Sequence, residues 1–149
     1  GDDLSIILEM FEAFEEYWLS GYMYEFGLDT PLDRPASAKA SGLCHVHVLY
    51  NEELFTDNDY REWERKSSPN IPPSLRSKRM NCDSMIIYSM SREGTALFLT
   101  FYPSLGHERI KHGTVELGNL AIVSEDYFSS IDENPASYEE VMEFLQQPT

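Results

Sequence analysis

The side chains of this chain that could transfer protons or stabilise negative charge include four imidazoles in two short stretches, and the second stretch also contains two basic side chains. The side chains concerned are His45, His47, His107, Arg109, Lys111 and His112. Cleavage of RNA without a metal requires a base that takes the 2′-hydroxyl proton, a cation that stabilises the phosphorane, and an acid that protonates the leaving oxygen. Imidazole, guanidinium and ammonium groups suit these tasks, and residues 107–112 pack them most closely. The same residues are also typical of a solvated polar turn beside a helix, so both interpretations stay open.

His45 and His47 belong to an alternating segment, Leu43–Tyr50, which predicts a β-strand with both imidazoles on one face. They are candidates for proton transfer, for RNA contact, or for hydrogen bonding within the sheet. A metal enzyme that uses both is a third interpretation. However, the chain offers no Cys or His pair at the usual ligand spacing, so we predict no metal site. Asp83 and Tyr88, around the next strand, are each able to orient a histidine or to be structural.

A cluster of bases with interleaved aromatic residues lies between the two histidine stretches. It comprises Arg61, Arg65, Lys66, Arg76, Lys78 and Arg79, with Tyr60 and Trp63 among them. Single-stranded nucleic acid is bound by positive charge against phosphate and by flat side chains against bases. The segment is therefore a candidate RNA-binding region, although Trp63 is equally a candidate core anchor.

Charge is strongly segregated along the chain. Residues 1–33 contain nine acids and residues 113–149 contain eight, and neither segment contains Lys or Arg. All eleven bases lie between them, while the net charge is −15. A polyanion could therefore approach only the middle, and the two acidic flanks are candidate surfaces for a basic partner or simply solubilising faces.

The hydrophobic periodicity predicts an α+β fold with an antiparallel sheet of three to four strands between an N-terminal helix and C-terminal helices. We expect a helix over 3–20, then a loop-rich connection over 21–42 with one short helical turn near Ser37. The predicted strands and later elements follow in order: strands 43–50, 85–90 and 96–102, a hairpin turn at 91–94, a short helix capped by Thr56, a polar basic turn over 103–113, and helices from 114 to about 130 and after Ser137.

Length and composition predict one domain over residues 1–149. The two cysteines, Cys44 and Cys82, do not make a disulfide framework, so a reducing cytoplasmic setting is expected. The longest apolar run is too short to span a membrane, and we predict no membrane partner and no small-molecule cofactor.

Taken in order, several short segments resemble the YafO family of bacterial type II toxins. The matching segments are Tyr17–Gly21, His45–His47, Trp63, Arg79–Asp83, Ile87–Tyr88, Leu97–Leu99, Pro103–His107 with Lys111, Leu117–Ala121 and Glu125. The resemblance spans about residues 10–128 and implies a RelE-like α+β architecture. It also implies a ribosome-dependent endoribonuclease that cleaves mRNA and a cognate antitoxin that neutralises it. Residues 1–128 are then the toxin-like core, and 129–149 are an acidic helical extension that either folds over the basic centre or is a simple elaboration.

Two hypotheses follow. In the first, the protein is an endoribonuclease that cleaves mRNA on the ribosome: His107 transfers protons, Arg109 and Lys111 stabilise the phosphorane, His45 or His47 completes a proton relay, and Asp83 orients an imidazole. The basic 60–79 segment would hold the RNA. In the second, the protein is a non-catalytic, immunity-like interaction module on the same fold, and its acidic helices bind a basic partner.

Overall fold

The computed structural model describes residues 2–20, 26–50, 56–66 and 82–146. In these residues the elements are α1 (Asp2–Ser20), β1 (Phe26–Pro31), α2 (Ala36–Ala40), β2 (Cys44–Val48), α3 (Asp57–Lys66), β3 (Met85–Met90), β4 (Ala96–Tyr102), α4 (Gly106–His112), α5 (Thr114–Ser130) and α6 (Tyr138–Gln146). The predicted α+β class is confirmed. So are the first helix, the helical turn at α2 and the two strands of the 85–102 hairpin.

The described strands form one antiparallel sheet in the order β1-β2-β3-β4. In this register His45 lies opposite Ile87 and His47 lies opposite Met85. Every residue of β3 is buried, as expected for a strand covered on both faces. β1 and β4 are the two edges of the sheet, and β1 places Thr30 directly opposite His45.

The prediction of a loop with one helical turn over 21–42 is wrong for residues 26–31, which form strand β1. The segment contains Gly27, Asp29 and Pro31, which are depleted in central strands, so its composition indicated a connection. An edge strand tolerates such residues because one side of its backbone needs no ladder partner. A register shift between Phe26 and Asp29 accommodates the irregularity.

Helices cover both faces of the sheet, which separates two hydrophobic clusters. On one face α1 and α6 pack against the strands, through side chains such as Phe14, Val46, Ile86 and Val141. On the other face the cluster includes Leu43, Met85 and Ile87 from the strands, together with side chains of α2 and α5. Because side chains alternate along a strand, His45 and His47 share the second face with Leu43.

The segment after α5 is packed into the domain. The Ala136 amide donates to the Met90 carbonyl at 2.9 Å, and Val141 and Leu145 of α6 are buried in the first cluster. The predicted capping box is confirmed, since Ser137 and Glu140 exchange backbone-to-side-chain hydrogen bonds of 3.2 Å. Helix α6 therefore lies on the face opposite His45 and His47, so it does not fold over them.

Two further predictions concern short helices. Thr56 caps α3 as predicted, because its hydroxyl accepts the Asp59 amide at 3.1 Å while the Asp59 carboxylate accepts the Thr56 amide. The predicted polar turn over 103–113 is wrong for residues 106–112, which form helix α4. No helix in the described part of the chain is both long and apolar enough to cross a bilayer.

Candidate active site

Three of the four imidazoles meet where β2 lies beside α4, and we call His45, His47 and His107 the imidazole row. The ring centroids of His45 and His47 are 4.9 Å apart, and those of His47 and His107 are 5.3 Å apart. The strand period places the first two side by side, and the connection after β4 brings the third against them. The fold thus brings His107 next to residues that are 60 or more positions earlier in the sequence.

The imidazole of His45 is held by the edge strand. Its Nδ1 lies 3.0 Å from the Thr30 carbonyl oxygen. A carbonyl can only accept, so Nδ1 carries the hydrogen and Nε2 carries a free lone pair in the neutral ring. Burial lowers the pKa of His45 to about 4, with a smaller lowering from His107. His45 is therefore a neutral imidazole at physiological pH, and its Nε2 is an acceptor.

His47 is the most enclosed member of the row, with 1% of its surface exposed. Its Nδ1 lies 2.6 Å from the Cys82 carbonyl oxygen and 3.1 Å from the Cys82 amide nitrogen. Either neutral tautomer therefore finds a partner, because Nδ1 can donate to the carbonyl or accept from the amide. Burial is the main cause that lowers the pKa of His47 to about 3, followed by the neighbouring His45. His47 supports the row from inside and does not itself meet solvent.

His107 is the exposed member of the row, and Asp83 fixes its orientation. The His107 Nδ1 lies 3.0 Å from Oδ1 of Asp83, and 53% of the His107 side chain is exposed. A carboxylate also only accepts, so Nδ1 carries the hydrogen and Nε2 is left to take or give a proton. A carboxylate that orients an imidazole in this way is the arrangement that general acid–base catalysis uses.

The same carboxylate holds the start of α4. It accepts the amides of Leu105 and His107, each at 3.1 Å, while the Asp83 carbonyl accepts the Gly106 amide at 2.8 Å. Leu105 adopts a left-handed backbone conformation with φ of 58°, which turns the chain into the helix. A residue 22 positions earlier in sequence therefore supplies the N-terminal hydrogen bonds of α4, and it positions His107 in the same step.

The two bases of α4 lie in different surroundings. Lys111 is four residues after His107, so both lie on one face of the helix. Arg109 lies over the ring of Tyr102, with 4.8 Å from Cζ to the centroid, and pairs with Glu116 of α5 at 3.6 Å. The fourth histidine, His112, pairs with Glu108 at 3.4 Å and is not part of the row. Tyr102 was not predicted as a site residue, although its position directly before the basic stretch 103–113 could have indicated it.

Tyr102 and Cys82 are enclosed groups beside the row. Burial, followed by the charge of Glu116, raises the pKa of Tyr102 to about 12. Burial likewise raises the pKa of Cys82 to about 11, and its thiol contacts the Val48 carbonyl at 3.0 Å. Both groups therefore stay protonated at physiological pH, so Cys82 is not an activated nucleophile.

Half of the predicted RNA-binding cluster can be compared with the structure. Arg61, Arg65 and Lys66 lie on α3, where Arg65 and Lys66 pair with Glu62 at 2.6 and 3.6 Å. Trp63 is fully buried, which agrees with the core-anchor alternative, and its indole presents no exposed face to a base. The other predicted RNA contacts, Arg76, Lys78 and Arg79, lie outside the described residues.

Tyr88 does not orient a histidine. It lies on the other face of the sheet, where its hydroxyl donates to Oδ1 of the buried Asp29 at 2.6 Å. The Tyr17 hydroxyl donates to Oδ2 of the same carboxylate. As for metal binding, no group of three or more His, Cys, Asp or Glu side chains in the described ranges is arranged to hold an ion.

Comparisons with known proteins identify the family. The family model described as Toxin YafO, type II toxin–antitoxin system, matches residues 13–129. No curated protein matches the chain, and no solved structure matches it. The match covers Asp83 and the whole imidazole row, whereas residues 2–12 of α1 and the whole segment after α5 lie outside it. The sequence resemblance is thus confirmed: the chain belongs to the YafO toxin family of type II toxin–antitoxin systems, in which the toxin has a cognate antitoxin as its partner.

Proposed function

We propose that this toxin is an endoribonuclease that cleaves mRNA at the imidazole row, without a metal ion. The observation that carries the proposal is the His107–Asp83 pair, an exposed imidazole whose tautomer is set by a carboxylate at 3.0 Å. Two neutral imidazoles lie directly behind it, and a lysine lies one helical turn further along α4. This combination suits proton transfer at a phosphodiester.

In the proposed reaction His107 Nε2 takes the proton of a ribose 2′-hydroxyl, whose oxygen attacks the adjacent phosphorus. The phosphorane gains negative charge, which the ammonium group of Lys111 stabilises. The bond from phosphorus to the 5′-oxygen then breaks, and the 5′-oxygen takes a proton from a solvent water, whose hydroxide is neutralised by the proton that His107 carries. The products are a 2′,3′-cyclic phosphate and a 5′-hydroxyl, and His107 returns to its neutral form. Asp83 stabilises the imidazolium that forms on His107, while His45 offers its Nε2 lone pair as a hydrogen-bond acceptor.

The net charge of −15 bears on where the reaction takes place. A strongly acidic protein is repelled by RNA, and at physiological ionic strength salt limits this repulsion to a Debye length of about 8 Å. Repulsion at that range disfavours the capture of free RNA from solution. We therefore propose mRNA held on the translating ribosome as the substrate, in the cytoplasm, because the ribosome presents the strand at a fixed place. The family match and the bases of α4 support this choice over bulk RNA.

The test is a cell-free translation reaction with purified protein, read by mapping mRNA ends. The parent is expected to stop translation and to leave 2′,3′-cyclic phosphate ends, with and without a chelator selective for transition metals. His107→Ala is expected to lower the cleavage rate at least about 100-fold, the usual contribution of a general acid or base. His112→Ala is the matched control, since it is an exposed histidine of the same helix with its own carboxylate partner.

Two results would remove the assignment: no cleavage by the parent, or equal cleavage by the parent and His107→Ala. The competing function is the non-catalytic acidic interaction module. It predicts that the parent and His107→Ala are equally inert on translating ribosomes, so the same reaction distinguishes the two functions.

A further inference from the structure

Helix α1 has an apolar stripe that nothing in the described part of the chain covers. The inward face of the helix is formed by Met10, Phe14 and Tyr17, which are buried against the sheet. Beside it lies a second row, which we call the outer stripe: Leu4, Leu8, Phe11 and Leu19, exposed by 60, 54, 41 and 83%. Glu15 occupies the turn between Phe11 and Leu19, so four of the five positions of the stripe are apolar. Steps of three and four residues are the spacing of a helix–helix seam, whereas a helix that packs only on its own domain needs one stripe.

The outer stripe is continuous with a groove beside the edge strand β4. The Phe11 ring contacts Phe98 edge to face, with centroids 5.9 Å apart. Phe11, Trp18, Leu19 and Phe98 are among the side chains that line a cavity of about 290 Å³ between α1 and β4. An exposed apolar surface of this extent, formed by a helix and an adjacent groove, is typical of a protein-binding site.

The charges around the stripe indicate which partner fits it. Glu9, Glu12 and Glu16 follow one another along the border of the stripe, and α1 has no Lys or Arg at all. A second copy of this chain would place these carboxylates against one another, and RNA would meet the same repulsion. A helix with an apolar seam flanked by Lys or Arg would complement both features.

We propose that the outer stripe of α1 binds a basic amphipathic helix of the cognate antitoxin. The proposal rests on family membership and not on ribonuclease activity. Leu4, Leu8 and Phe11 precede the region that the family model matches, whereas Leu19 and Phe98 lie within it. The groove at Phe98 receives side chains from the same helix.

The test uses the full chain and the antitoxin encoded by the neighbouring gene, with affinity measured by titration calorimetry in the absence of RNA. Leu8→Lys and Leu19→Lys are each expected to weaken binding at least about tenfold, because each removes a leucine from the interface and adds a like charge. Glu12→Lys is expected to slow association and to flatten the dependence of affinity on salt. Circular dichroism verifies that each variant is folded, which the exposure of these side chains favours.

The matched control is Val115→Lys on α5, at a side chain that is 78% exposed on the other side of the sheet. It is expected to bind within about twofold of the parent. The proposal is wrong if the parent does not bind, if Leu8→Lys binds as the parent does, or if Val115→Lys weakens binding equally. Sedimentation of the chain alone provides a further test, since a dimer that Leu8→Lys abolishes would assign the stripe to a second copy. If the stripe variants weaken antitoxin binding as expected but the parent does not cut mRNA, only the proposed ribonuclease function is wrong.

Discussion

Asn in place of Asp83 is the most informative single change at the candidate site, because this carboxylate both orients His107 and caps α4. It accepts three hydrogen bonds, from His107 Nδ1, from the His107 amide and from the Leu105 amide. An asparagine has the same shape but only one accepting oxygen and no charge. Asp83→Asn must therefore either give up the bonds to His107 or give up the Leu105 cap.

Each of these two outcomes predicts a different loss of cleavage rate. If the amide NH₂ faces His107, the ring must turn to the other neutral tautomer and its Nε2 no longer takes a proton. A wrong tautomer of this kind lowers catalysis by up to about 10⁴-fold. If the amide oxygen faces His107, the tautomer survives, but the imidazolium loses a charge-assisted bond worth about 1 kcal/mol more than a neutral one, which is about fivefold to tenfold in rate. The expected loss is thus at least about fivefold, and the lost cap destabilises the fold by about 1 kcal/mol.

The assay is the rate of mRNA cleavage on translating ribosomes, with thermal unfolding as the check on folding. Glu108→Gln is the control, since it removes the other carboxylate–imidazole pair of α4, between Glu108 and His112. That variant is expected to cut at the parent rate. A folded Asp83→Asn protein that also cuts at the parent rate would refute the reasoning, because neither the tautomer nor the charge of the pair would then matter.

Three further predictions concern stability. Burial keeps the pKa of His47 at about 3, so between about pH 6.5 and 3 the unfolded chain binds a proton that the native state does not bind. The free energy of unfolding should therefore fall on acidification by up to about 1.4 kcal/mol per pH unit. Urea unfolding at pH 7 and 5 should show a smaller decrease for His47→Gln than for His112→Gln. Asp29→Ala removes the acceptor of two buried tyrosine hydroxyls and should destabilise by about 2–5 kcal/mol in the same assay, and a value under about 1 kcal/mol would contradict that role. Gly42→Ala should lower the unfolding midpoint far more than Gly94→Ala. Both glycines have positive φ, but of the two only Gly42 would place a Cβ against a backbone atom, the Ala136 oxygen at 2.1 Å. Equal effects would mean that the segment around Ala136 does not pack against Gly42.

Much of the fold could be predicted because local patterns and tertiary packing agree. The hairpin strands 85–90 and 96–102 have strand-forming residues bounded by a Gly-containing turn, and they appear with those bounds. The last helix begins at the capping box between Ser137 and Glu140. Strand β1 could not be predicted because its identity comes from pairing with β2, and its own composition indicates a connection.

The sequence predicts candidate residues for the site but not their geometry. That His45 and His47 share a face follows from the strand period. The sequence predicts that Asp83 orients an imidazole but not which one, and in the structure its carboxylate lies 3.0 Å from Nδ1 of His107. The helical form of 106–112 could not be predicted, since the hydrogen bonds that begin it come from residue 83. The burial of Trp63 likewise depends on tertiary contacts, which no local pattern around α3 reveals.

The arrangement of the sheet makes the acidic character of the chain compatible with the proposed chemistry on RNA. The imidazole row and α4 lie on one side of the sheet, and α1 packs on the other side. Helix α1 contains four glutamates and no Lys or Arg. Charges on opposite faces of a domain are separated by more than a Debye length of about 8 Å at physiological salt, so the acids of α1 are largely screened at the row. The same separation means that an antitoxin helix on α1 leaves His107 uncovered. Inhibition by that helix alone must then act on access to the ribosome, and an antitoxin that blocks the row directly needs a second segment that reaches α4.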